Sequence, residues 1–138
     1  MKKKKKMPDV PYEFYSKVSG VTFQNSDGSD RQKLIRAYCK VGVPLVLWRE
    51  PKNPYGANAI GVWVEVRGFL TPTKMMQIGY ITSRAAEELA PIMDQGGKVR
   101  ARITAITGGM QNESVGVNIE IQVEPPRLPT EQPPKAVG

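Results

Sequence analysis

The sequence predicts a mostly β fold: a small, mainly antiparallel barrel with two short α-helices closing its ends. Three observations predict it. Six runs either alternate apolar and polar residues or are dense in β formers. Clusters of Gly, Asn, Asp and Pro separate most of them. Helical spacing of apolar residues appears in only two short stretches, one after Ser29 and one after Ser83.

Phe14–Phe23 alternates weakly and reads as the first strand. Asn25-Ser26-Asp27-Gly28 is a turn, and Ser29-Asp30-Arg31-Gln32 fits a capping box, with Ser29 as the cap. The helix that follows runs to about Cys39. Leu34, Ile35 and Tyr38 share one face of it, which places Tyr38 in the core. Val43–Trp48 is apolar at successive positions, as a strand buried on both sides would be. Ile60–Val66 alternates and reads as half-buried. Met76–Thr82 is a further strand. Ser83 caps the second helix, whose stripe is Ala86, Leu89, Ala90 and Met93. Pro91 offers no N–H to the carbonyl of Glu87, so a kink or restart is expected there. Lys98–Thr107 and Val115–Val123 complete the set as a hairpin, its outer face pairing Arg100 and Arg102 with Glu120.

The organisation is one domain between two tails: a basic arm over 1–11, the barrel over 12–124, and a proline-rich tail over 125–138. The formal charge of +7 is concentrated in Lys2–Lys6, whereas residues 12–124 hold 13 basic and 11 acidic side chains. So nearly neutral a body is not a broad clamp for duplex DNA, and any nucleic-acid site would be local. The arm is either a solvated tail or a loose tether to phosphate.

Composition also narrows the chemistry. With one cysteine and no histidine, neither an ordinary zinc site nor a histidine-based triad can form. The carboxylates show no calcium-loop spacing. No catalysis and no cofactor is therefore expected. A lone Cys39 agrees with a reducing compartment. Met7-Pro8-Asp9 stands where a signal peptide would be apolar, and no run reaches the ~20 apolar residues of a membrane span. The expectation is a soluble cytoplasmic protein.

The most informative stretch is Arg49–Ile60, REPKNPYGANAI, between two strands. Asn53-Pro54-Tyr55-Gly56 fits a type I turn position by position. Such a turn lifts Tyr55 towards solvent, with Arg49 and Asn58 nearby along the chain. An aromatic face, a cation and an amide are the parts of single-stranded nucleic-acid sites. The competing reading is a plain hairpin connection whose Tyr folds back onto the sheet.

Four segments in this order resemble the HIRAN domain: KVSGVTFQNSDGSDRQ, REPKNPYGANAI, QIGYI with AAEELAPIMDQG, and ITAITGG with VGVNIEI. The resemblance spans Phe14–Glu124. It implies an OB-like or SH3-like six-stranded β-barrel. It also implies a non-catalytic module that binds single-stranded DNA, at free 3′-hydroxyl ends in the branch attached to DNA-repair translocases. Implied partners are single-stranded DNA or DNA ends, and a helicase, translocase or nuclease in trans.

In the family, an NPYD-type turn lines the DNA-end pocket. Tyr55 matches its tyrosine, but Gly56 stands in place of its acid. One lost hydrogen bond to a charged acceptor costs roughly ten- to a hundredfold in affinity. Thr22 and Phe23 stand where the translocase branch has an arginine followed by an aromatic, so the stacking surface is kept and the phosphate clamp is not. The candidate contacts are then Phe23, Arg31, Arg49, Asn53, Tyr55 and Asn58. Four of them have structural alternatives: an ion pair for Arg49, the turn itself for Asn53, a backbone cap for Asn58, the core for Phe23. The near-neutral body and the lost acid favour a second function, a protein-interaction adaptor that kept the fold and lost end recognition.

Overall fold

The computed structural model describes residues 8–111 and 113–127. The lysine run of the basic arm and most of the proline-rich tail lie outside the described residues. Elements follow in the order β1 (Tyr12–Ser19), α1 (Arg31–Tyr38), β2 (Pro44–Arg49), β3 (Ile60–Val66), β4 (Lys74–Ile81), α2 (Ser83–Asp94), β5 (Lys98–Gly108) and β6 (Val115–Glu124). The six strands close an antiparallel barrel in the order β1-β4-β3-β2-β5-β6.

Alternation along the strands fills the interior with Ile60, Val62, Val64, Ile78, Ile103, Val117, Ile119 and Ile121, all essentially inaccessible. Ile35 from α1, with Leu89 and Ile92 from α2, joins the same core. The barrel closes through a short β1–β4 pairing, Val18↔Ile81 and Ser19↔Tyr80. Gly79 permits that approach. A Cβ there would strike the carbonyl oxygen of Ser19 and lie 2.6 Å from Val18 Cγ1.

Several local expectations are corrected. β1 stops at Ser19, because Gly20 takes φ +71° and the Phe23 N–H bonds back to its carbonyl at 3.2 Å. Asp30, not Ser29, caps α1, accepting from the Gln32 and Lys33 N–H groups, while the Ser29 hydroxyl donates to Asp27. The Gln32 amide instead bonds the backbone of Val21 and Val115. Thr82, not Ser83, caps α2. That helix runs unbroken through Pro91, and Ile92 takes the buried place expected of Met93.

Tyr38 is 43% exposed rather than core. β2 is buried on one face only: Leu45 points inward, whereas Val46 and Trp48 face solvent. In the β5–β6 hairpin, Arg102 pairs with Glu120 at 3.4 Å, but Arg100 lies opposite Gln122.

Candidate nucleic-acid interface

One end of the barrel opens as a groove of about 1100 Å³. It lies between the ends of β1, β2 and β4, the start of α2, and two tight turns. Each turn lifts one aromatic ring.

The first turn is Gly20–Phe23. Its carbonyl at Gly20 accepts the Phe23 N–H at 3.2 Å and Arg31 Nη1 at 2.9 Å. Phe23 is left 66% exposed along the groove. The second is Asn53–Gly56. The Gly56 N–H reaches the Asn53 carbonyl at 3.2 Å, and the Tyr55 N–H reaches Asn53 Oδ1 at 2.8 Å. This is the self-bonded asparagine that the type I pattern requires. Tyr55 stands 98% exposed.

Beneath these rings lies a bonded floor. Tyr80 donates to Glu50 Oε1 at 2.9 Å, and Asn53 Nδ2 donates to the same oxygen at 3.0 Å. Arg31 is buried beside it, its guanidinium 5.5 Å from the centre of the Tyr80 ring. Arg31 Nε donates to Asn25 Oδ1 at 2.7 Å, and Asn25 in turn donates to the Gln77 carbonyl on β4. Burial holds the Arg31 pKa below its ordinary value, opposed by the nearby Tyr80 and Glu50.

Five of the six candidate contacts come together here. Phe23, Arg31, Asn53, Tyr55 and Asn58 all line the groove. Asn53 and Arg31 are already heavily hydrogen-bonded, so they shape the site more than they offer free donors.

Arg49 is not among the lining residues. It grips Asp94 with two bonds, 2.8 and 3.0 Å long, and spends Nη1 on the Ala59 carbonyl at 2.9 Å. That bidentate bond lifts the Arg49 pKa and lowers that of Asp94.

The lining also holds residues that the sequence did not single out, among them Glu50, Tyr80 and Glu87. Tyr80 had a usable signal, since strand alternation turns it outward wherever Ile81 points in. With Arg31 against Glu50 and Glu87, charged side chains on the lining are mostly acidic.

No group of three or more metal-ligating side chains occurs among the described residues. No helix among them is long and apolar enough to cross a membrane.

Comparison with known proteins gives a consistent picture. The crystal structure of the HIRAN domain of human HLTF superposes with TM-score 0.56 at 19% identity, covering 83% of this chain and 77% of that one. The crystal structure of a protein from Lactobacillus plantarum gives TM-score 0.59 at 23% identity, over 83% and 95% of the two chains. At such identities these matches speak to the fold alone. No curated protein matches. The profile of the HIRAN domain covers residues 12–124, from the first residue of β1 to the last of β6, and the chain belongs to that family.

Proposed function

We propose that the protein is a non-catalytic nucleic-acid-binding module that takes the end of a single DNA strand in this groove. The observation that carries the reading is the pair Tyr55 and Phe23. Two rings from opposite turns stand exposed along one cleft, each fixed by a backbone hydrogen bond. A base can stack on such a ring whatever its identity, at about 1–3 kcal/mol per base. HIRAN domains are known in nucleic-acid binding, which supports the reading.

In this account Asn58 offers an amide to a base edge or sugar, and Arg31 offers whatever donors Gly20 and Asn25 leave free. Gly56 brings no carboxylate to a terminal hydroxyl, so discrimination for a free 3′ end is weak. A role in DNA repair would place a helicase, translocase or nuclease beside this module in trans. The buried, unpaired Cys39 fits a reducing, cytoplasmic setting.

The test is a fluorescence-anisotropy titration at low salt with short oligonucleotides whose 3′ ends are free or blocked. Micromolar binding that is lost in Tyr55→Ala supports the reading. Absence of binding, or binding indifferent to Tyr55, overturns it.

The acidic balance of the lining favours a second reading, an adaptor for a protein partner. A stoichiometric partner recovered after nuclease treatment, and released by Glu50→Gln with Glu87→Gln, supports that alternative.

A further inference from the structure

Resting on the reading just given, we infer that the groove continues across the barrel wall onto a second stacking platform built by Trp48 and Trp63. The platform takes the nucleotides that follow those held at Tyr55 and Phe23.

The strand registers place these residues in sequence. Ser19 pairs with Tyr80, Tyr80 with Gly61, and Gly61 with Trp48. These four residues form one row on the outside of β1, β4, β3 and β2. From Tyr80, on the groove wall, to Trp48 is two strand spacings, about 10 Å.

Between Tyr80 and Trp48 the row carries a glycine, which contributes no side chain of its own, and Glu50 Oε2 lies over it, 2.6 Å from where a Cβ would stand. Trp63 leans over the same gap: a Cβ on Gly61 would lie 2.8 Å from Trp63 Nε1. The two indoles meet at 6.3 Å between centroids, inclined at 53°. Trp48 is 60% exposed and Val46, two residues back on the same face, 44%. Aromatic side chains therefore recur from Tyr55 and Phe23, past Tyr80, to the exposed Trp48, with the Glu50 carboxylate and the half-buried Trp63, whose Nε1 is inaccessible, between them.

Charge selects the occupant. The charged side chains of the groove lining are mostly acidic, whereas the outer face of β5 beside the platform carries Lys98 and Arg100, with Glu13 and Glu124 on their far side. The pair Leu45↔Ala101 points inward, which leaves their neighbours Val46 and Arg100 outward and level with each other. Lys98 follows on the same exposed face, and neither Lys98 nor Arg100 is in an ion pair among the described residues. Stacking rings flanked by uncommitted cations fit a single-stranded nucleic acid better than an apolar peptide.

The experiment compares thymidine dinucleotide with an eight-nucleotide oligothymidylate at low salt. Binding to the groove is followed through the backbone amide cross-peaks of the Asn53–Gly56 turn, and binding to the platform through the two indole N–H cross-peaks and tryptophan fluorescence. The octamer is expected to move the Trp48 cross-peak and quench emission, and the dinucleotide to do neither.

Trp48→Ala is expected to weaken octamer binding by about 5- to 100-fold, with an unchanged circular dichroism spectrum. Arg100→Glu is expected to flatten the dependence of log affinity on log salt by about 0.7. If the dinucleotide binds through Tyr55 but the octamer gains nothing from Trp48, the platform is overturned and the groove reading stands. If wild-type protein binds neither probe, both fall together.

Discussion

The hydroxyl of Tyr80 donates to Glu50 Oε1 at 2.9 Å and accepts from Asn53 Nδ2 at 3.3 Å, which ties the exposed turn to the barrel wall. The same oxygen accepts from Asn53, whose own side-chain oxygen holds the Tyr55 N–H. The angle at which Tyr55 stands over the groove is thus set from β4. Glu50→Ala removes the shared acceptor and leaves two donors to find water. The expected loss is about 1–3 kcal/mol of stability by urea denaturation. Oligonucleotide affinity should fall as well, since the turn is released. Glu50→Gln, which keeps the shape and one acceptor, should retain more of both. Equal losses in the two variants would show that charge alone matters.

Gly61 is predicted to be intolerant for a reason unrelated to its backbone. Its φ lies outside the left-handed range, so alanine is conformationally acceptable there. Yet a methyl group would meet Glu50 Oε2 at 2.6 Å and Trp63 Nε1 at 2.8 Å. Both are side-chain atoms and can yield, so Gly61→Ala should fold with a loss of about 1–3 kcal/mol. Its signature is a displaced Trp63 indole N–H resonance, because Glu50 and Trp63 must part to admit the methyl. Gly79→Ala differs: the obstruction there is the Ser19 carbonyl of the backbone, and the closing β1–β4 pairing should fail. Comparing the soluble yield and melting curves of the two variants separates these cases.

Arg31 is the next test, because one side chain orders both the loop after β1 and the floor under Tyr80. Its Nε and Nη1 satisfy Asn25 Oδ1 and the Gly20 carbonyl, and no other charged side chain of the groove is as buried. Arg31→Ala strands Asn25 Oδ1, leaves the Gly20 carbonyl only the Phe23 N–H, and should cost about 1–3 kcal/mol. Arg31→Lys cannot reproduce two directed bonds and should recover little. The affinity loss in either variant should track disorder of the Gly20–Phe23 turn, read from the Phe23 ring resonances. A variant that melts normally and keeps Phe23 in place would contradict this role.

Much of this was legible in the chain itself. The strands, the two helices and the NPYG turn follow from local rules: alternation, helical spacing, and proline and asparagine preferences. The turn type left Tyr55 either lifted towards solvent or folded back onto the sheet, and the structure has it lifted. The partners of Asn53 and Arg31 were not legible there. Asn53 meets Tyr80, and Arg31 meets Gly20, across the tertiary fold, and no local pattern encodes such contacts. Arg49 shows the same limit from the other side. Beside Tyr55 in sequence it reads as a binding cation, but Asp94 at the end of α2 claims it. Ser29 reads as the cap of α1, but Asp27 engages its hydroxyl and Asp30 takes the place. Trp48 shows that an unbroken apolar run does not distinguish a doubly buried strand from one presenting a face to solvent.

The last prediction concerns Cys39, which follows α1 and lies against the core. Burial pushes its thiol up to about 11, from an ordinary value of 9.0. The charged form is the one that burial disfavours, so the folded state holds its proton more tightly than the unfolded chain. The resulting stabilisation is complete below pH 9 and is lost as pH rises through 11. Two outcomes follow. The native thiol should react far more slowly with a disulfide reagent at pH 8 than free cysteine does, and the difference should vanish in urea. The melting temperature of wild-type protein should also fall more steeply between pH 9 and 11 than that of Cys39→Ala, although the variant starts lower because it opens a small cavity. Comparing slopes cancels every contribution that the two proteins share. A native thiol that reacts at the free-cysteine rate would mean that the end of α1 opens readily, and that the core contact of Cys39 is transient.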